Sequence, residues 1–189
     1  MKPKNHYFIL RHGDTVWTKT KKTYPWPDGS LVRLNREGIR TIKTVAERLK
    51  KQKIDLIYAS DLYRTTQTAM IVAKALGLNV TFDKRLRDTY LGSYHGRSPK
   101  EFYRDFPNME KRFRIGPKDG ESWNDVKTRV KSFISDLEEK HQGKTILIVS
   151  HGDPLWLFAG IVNNLNNNDL LKVILNKDYI KKGELRKLV

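Results

Sequence analysis

The sequence predicts an α/β fold, a three-layer α/β/α sandwich whose mostly parallel central sheet is flanked by helices. Three observations carry this expectation. Short apolar runs alternate with amphipathic stretches at helical spacing along most of the chain. Ile146-Leu147-Ile148-Val149 is continuously apolar and bounded by Gly143 and Gly152, as in a strand covered on both faces. The length, 189 residues with 38% hydrophobic content, suits one domain with its own core over residues 1–189. Neither repeats nor linkers divide it.

The elements follow in order. His6 to Leu10 reads as a short buried strand running into Arg11-His12-Gly13-Asp14-Thr15. Beyond the Pro/Gly-containing loop Tyr24 to Ser30, Asn35 can cap a helix over about Arg36 to Gln52, with Ile39, Ile42, Val45, Ala46 and Leu49 on one face. Ile54 to Ala59 is a second strand, and Asp61 to Leu76 a helix closed by Gly77. Asn79 to Phe82 is expected as a third strand. The stretch from about 85 to 120 is punctuated by Gly92, Gly96, Pro99, Pro107, Gly116 and Pro117, and reads as a loop-rich cap segment. Glu121 to His141 is a long amphipathic helix with Trp123, Val126, Val130, Phe133, Ile134 and Leu137 recurring on one side. The strand Thr145 to Val149 follows, Pro154 opens a further helix in its first turn, and Glu184 to Val189 adds an edge strand.

Composition narrows the chemistry. There are no cysteines, which removes disulfides, thiolate catalysis and Cys-based metal sites and fits a reducing compartment. The first apolar run, Tyr7-Phe8-Ile9-Leu10, is too short for a signal peptide core or a membrane span. A cytoplasmic protein with no membrane partner is the expectation. The net charge of +16 points to an anionic partner, either a small phosphorylated substrate or nucleic acid. Basic residues are scattered over the chain without interleaved stacking aromatics, which favours the small substrate over nucleic acid.

In such a fold reactive groups sit on loops leaving the carboxyl ends of strands. Two strands here end alike, in Arg11-His12-Gly13 and in Ser150-His151-Gly152. A neutral imidazole is a competent nucleophile near neutral pH, a guanidinium is a planar fork for phosphate oxygens, and glycine admits close approach of a substrate to the backbone. One His-Gly pair is an ordinary strand-end turn; two at equivalent places, with Arg beside one, point to phosphoryl chemistry.

The segment Phe8 to Thr15 resembles the N-terminal signature of the histidine phosphatase superfamily, also called phosphoglycerate mutase-like. The resemblance continues in order through Tyr58 to Ala69, Leu86 to Gly96, Gly120-Glu121-Ser122 and Val149 to Gly152. It implies that His12 attacks phosphorus and that Arg11, Arg64 and His151 surround the phosphoryl oxygens, with Gly152 and Thr15 completing the substrate-binding set. It also implies a phosphomonoester hydrolase working through phosphohistidine, with no cofactor and no metal.

Asp88 occupies the position where most relatives carry a Glu general acid, its carboxyl set back by about one carbon–carbon bond, roughly 1.5 Å. Asp88 is therefore the expected acid/base, with Asp14, Glu101 and Glu121 as alternates. The expected substrates are sugar, nucleotide or glycerate phosphates. Specificity is expected in the loops 17–30 and 92–118, with Lys19, Lys21, Lys22, Tyr24, Trp26, Tyr94 and Arg97 as candidate contacts. Two other readings stand beside hydrolysis: a phosphoglycerate-mutase-type phosphoryl transfer, disfavoured by the short stretch from Asp88 to Glu121, and a non-catalytic module binding anions or nucleic acid. Oligomeric state is not readable.

Overall fold

Five strands form one sheet in the order β3-β2-β4-β1-β5. They are β1 (His6–Arg11), β2 (Leu56–Ala59), β3 (Val80–Phe82), β4 (Thr145–Ser150) and β5 (Leu185–Lys187). The first four run parallel and β5 pairs antiparallel with β1 at the edge. The computed structural model describes residues 3–26 and 28–188. Met1, Lys2, Pro27 of the expected loop and Val189 of the expected edge strand lie outside the described residues.

Side-chain alternation splits the core between the two faces of this sheet. Phe8, Leu10, Leu147 and Val149 point to one side, where α1 (Arg36–Leu49) and α2 (Tyr63–Leu76) supply Ile42, Val45, Leu49, Ala69 and Val72. Tyr7, Ile9, Ile146 and Ile148 point to the other, against α4 (Trp123–Lys140) and α5 (Gly152–Val162). Each fully buried Leu, Ile or Phe in these layers is worth about 1.5–3 kcal/mol relative to exposure. Helices α1 and α2 on one face and α4 and α5 on the other give the expected three layers, and the described residues form two further helices, α3 (Pro99–Asp105) in the cap segment and α6 (Asn167–Leu175) beside α5.

Local signals explain the boundaries. The Asn35 side chain accepts from the Gly38 N–H and starts α1; Gly77, at φ 67°, ends α2. Ser122 and Asp125 form a capping box at α4, and Ser98 with Glu101 does the same at α3 with Pro99 in the first turn. The 85–120 segment is thus less loop-like than its prolines and glycines imply, since it holds α3 and single 3-10 turns. α6 is an addition to the expected elements. No helix among the described residues is long and apolar enough to cross a membrane.

Candidate active site

Register makes the two histidines neighbours. β1 and β4 pair so that Arg11 stands opposite Ser150, and each strand then delivers its histidine at the same sheet edge. The rings of His12 and His151 lie 5.3 Å apart and both are buried. Ala59 pairs with Val149, so the next residue of β2, Ser60, reaches His151: its Oγ lies 2.9 Å from Nε2. Helix α2 begins three residues later and places Arg64, 1% exposed, in its first turn beneath the same edge.

The tautomer of His12 follows from its partners. Nδ1 lies 2.8 Å from the carbonyl oxygen of Gly13, an acceptor only, so Nδ1 carries the proton. The lone pair is then on Nε2, where the Nε–H of Arg64 donates at 3.3 Å. Burial, then the charges of Arg64 and Arg11, hold the His12 imidazole well below its ordinary pKa, and His151 is lowered by burial, Arg64 and His12 in that order. Both rings are neutral at physiological pH. A neutral His12 is what a nitrogen nucleophile requires.

Arg64 distributes its remaining donors to carboxylates. Nη2 donates to Asp88 Oδ2 at 2.8 Å, and Nη1 donates to Asp28, whose side chain is wholly buried. Tyr24 lies against the guanidinium, 4.0 Å from ring centre to Cζ, and edge-on to His12. Arg11 donates Nη1–H to the Ile180 carbonyl, while its Nε and the Nδ1 of His151 are buried with no hydrogen-bond partner among the described residues. A buried guanidinium N–H is rarely left so, and an anion beside Arg11 would supply its acceptor.

Asp88 keeps 28% of its side chain open, lies 3.7 Å from His151 Nδ1 and lines a cavity of about 570 Å³ with Arg11, Gly152 and Asp153. Burial raises its pKa against the opposing pull of Arg64, and the charge of Asp153 raises it further. The backbone beneath it is fixed from α4: Arg129 donates to the carbonyls of Arg85, Arg87 and Asp88 and pairs with Glu121, which accepts from the Tyr90 N–H.

Arg11, His12, Arg64, Asp88 and His151 are thus brought together. Gly152 opens α5 at the cavity, where a Cβ would lie 2.4 Å from the Tyr179 hydroxyl. Thr15 is buried with its hydroxyl on Tyr24 and Thr18, a support for the Tyr24 ring. The alternates for the acid are engaged elsewhere. Asp14 accepts from Thr18, Asn35 and Lys182, Glu101 serves its helix cap and pairs with Arg97, and Glu121 holds Arg129. Of the candidate rim contacts, Tyr24 reaches the site. Trp26 stacks on His95, Tyr94 donates to Asp105, and Lys19, Lys21 and Lys22 are exposed. Sequence reading passed over Asp28, Ser60 and Arg129. Ser60 lies inside the segment Tyr58 to Ala69 that carries Arg64, and was the most findable of the three.

An α/β sandwich that gathers two imidazoles and two guanidiniums at the carboxyl edge of its sheet places cationic and nitrogen donors together in the manner an anionic group requires. The chain belongs to the histidine phosphatase superfamily, branch 1, whose family model matches residues 7–180. It is 36% identical over 152 residues to phosphoglycerate mutase-like protein 4 of Arabidopsis thaliana, covering 76% of this chain and 65% of that protein. It is 33% identical over 150 residues to the probable phosphoglycerate mutase GpmB of Yersinia enterocolitica, covering 77% and 68%. The match thus spans about two thirds of the length of these curated relatives. Among solved structures, a mycobacterial glucosyl-3-phosphoglycerate phosphatase complexed with VO3 superposes with TM-score 0.81 at 25% identity, over 97% of this chain and 90% of that one.

Proposed function

We propose that this protein is a cytoplasmic phosphomonoester hydrolase acting on a small phosphorylated metabolite, and that residues 85–120 cap its single catalytic domain. One observation carries the reading: the lone pair of a neutral His12 faces a guanidinium, within a set of buried donors that match the oxygens of one phosphoryl group. His12 Nε2 forms a bond to phosphorus as the bond to the leaving oxygen breaks. Arg11, Arg64 and His151 take the equatorial oxygens and offset the charge developing there. Asp88 gives its proton to the leaving oxygen, then accepts one from the water that attacks phosphohistidine, releasing phosphate and restoring both groups. Burial and the charge of Asp153 raise the pKa of Asp88 against the pull of Arg64, the direction a general acid requires.

Rapid quench in alkali during turnover is expected to trap acid-labile phosphate on His12, and His12→Ala to lower turnover by about 10³-fold or more. Label on another residue, or undiminished turnover, would overturn the assignment. Asp88→Asn is expected to slow hydrolysis of alkyl phosphates by about 10²–10⁴-fold and to spare p-nitrophenyl phosphate, whose leaving group needs little protonation. Equal activity on both would remove Asp88 from the mechanism. A mutase reading draws on the names of the relatives; isomerised phosphoglycerate without phosphate release is the result that would favour it.

A further inference from the structure

The cavity beside Asp88 is much larger than a phosphoryl group needs, and its lining changes character away from the floor. Arg11, Asp88, Gly152 and Asp153 form the polar end. Asp153 is fully engaged, accepting from Thr89, Trp123 and Tyr179. The walls are Tyr103, Phe106, Met109, Trp123 and Ile174 from the cap segment, α4 and α6. Beyond Arg11 the lining holds one cation, Arg112. Its guanidinium lies among rings, with Cζ 4.2 Å from the Trp123 ring centre, 4.9 Å from that of Phe102 and 5.6 Å from that of Tyr103, and it pairs with no carboxylate among the described residues.

From this we infer that the leaving group accepted here is an uncharged planar aromatic, so that the substrate is the phosphate monoester of an aromatic alcohol. The inference rests on the phosphomonoesterase reading and names its substrate class. Three features lead to it. A volume of about 570 Å³ is that of a ligand pocket and far exceeds a glycerate or a methyl group. Apolar and aromatic walls stabilise a ring by burial and edge or stacked contacts, and offer few partners to sugar hydroxyls. The Arg112 guanidinium is already taken up by three rings, those of Trp123, Phe102 and Tyr103, so that the wall offers aromatic surface in place of a free charge. Tyr103, 58% exposed, adds a further ring to this lining.

Two measurements test this. The first compares kcat/KM for 2-(2-naphthyl)ethyl phosphate and propyl phosphate, whose alcohols are similarly acidic, so that the ratio reports leaving-group contacts alone. The aromatic ester is expected to be favoured by about tenfold or more, the scale of burying one ring. Tyr103→Ala, at an exposed position, and Met109→Ala, at a partly buried one, are expected to narrow that ratio. The second is calorimetric binding of 2-naphthylmethyl phosphonate against methyl phosphonate, which needs no turnover. Aromatic selectivity in binding without hydrolysis of any ester would leave the pocket assignment standing and sink the hydrolase reading. Equal ratios in both measurements would overturn the pocket assignment while hydrolysis stood. So would a preference for 3-phosphoglycerate that Arg112→Ala abolishes, because Arg112 would then be reading a second anion.

Discussion

Arg64 donates through each of its three nitrogens to a side chain of the site: Nε to His12, Nη1 to Asp28 and Nη2 to Asp88. A phosphoryl group that reaches His12 Nε2 must take over part of this set, so the strength of the Arg64 contacts sets how readily phosphate enters and leaves. Asp28 weighs on both steps. Its negative charge compensates the guanidinium, which weakens the hold of Arg64 on an anion and reduces the pull of Arg64 on the Asp88 proton. In Asp28→Asn that compensation is gone. Inorganic phosphate is expected to inhibit more tightly, by about tenfold for each 1.4 kcal/mol of charge no longer offset. The Asp88 pKa, raised by burial and lowered by Arg64, should fall. Less of the acid is then protonated at a given pH, so the basic limb of kcat/KM for alkyl phosphates shifts to lower pH. A packing role alone would lower activity without moving that limb. Weaker phosphate inhibition, or an unmoved limb, would show that Asp28 only fixes the loop.

Secondary-structure elements reach the site through close backbone contacts. α1 enters its first turn against the nucleophile loop, and a Cβ on Gly38 would lie 2.1 Å from the carbonyl oxygen of Asp14 and 2.7 Å from its nitrogen. Backbone cannot rotate out of the way, so Gly38→Ala must push either the helix or the loop carrying His12. A loss of about 1–3 kcal/mol in urea unfolding is expected, with turnover falling more than stability alone explains. An unchanged midpoint would mean that α1 shifts freely. The same scale shows what the sequence makes legible. Strand periods and the repeated His-Gly ends place both imidazoles, because register follows from continuous apolar runs with their ends aligned. Arg64 was legible through its place one turn into a helix that follows a strand. Asp28 was not, because it acts from a Pro/Gly loop whose path is set by tertiary contacts such as the bond its Oδ1 accepts from the Tyr63 N–H. Helix α6 was missed because its start is a run of asparagines that reads as loop. The signal was there in Asn166, which accepts from the Asp169 N–H, and in Leu170 and Ile174 at helical spacing.

At the scale of the whole molecule the charge of +16 remains, and the site uses little of it. Arg64 pairs with Asp28 and Asp88 and Arg129 with Glu121, so of the site's guanidiniums only Arg11 is without a carboxylate among the described residues, and most of the excess lies elsewhere. Some of it lies on the segment that leads from the His12 loop to Tyr24, and some beside Asp14. Lys19, Lys21 and Lys22 are exposed between Thr15 and Tyr24, and Lys182 bonds to Asp14 beside the nucleophile and adds to the field that depresses His12. Such a field raises the local concentration of a dianionic ester before contact is made, and salt screens it over about 8–10 Å at physiological strength. kcat/KM is therefore expected to fall severalfold between about 0.05 and 0.5 M salt while kcat holds, since the clamp itself is buried and poorly screened. Lys21→Glu with Lys22→Glu should lower kcat/KM at low salt and flatten the dependence. If the charge serves nucleic acid instead, the salt response will appear as a linear fall of log K for duplex binding against log salt, with kcat/KM for small esters left flat. Steady kcat/KM across that range would separate the surface charge from catalysis altogether.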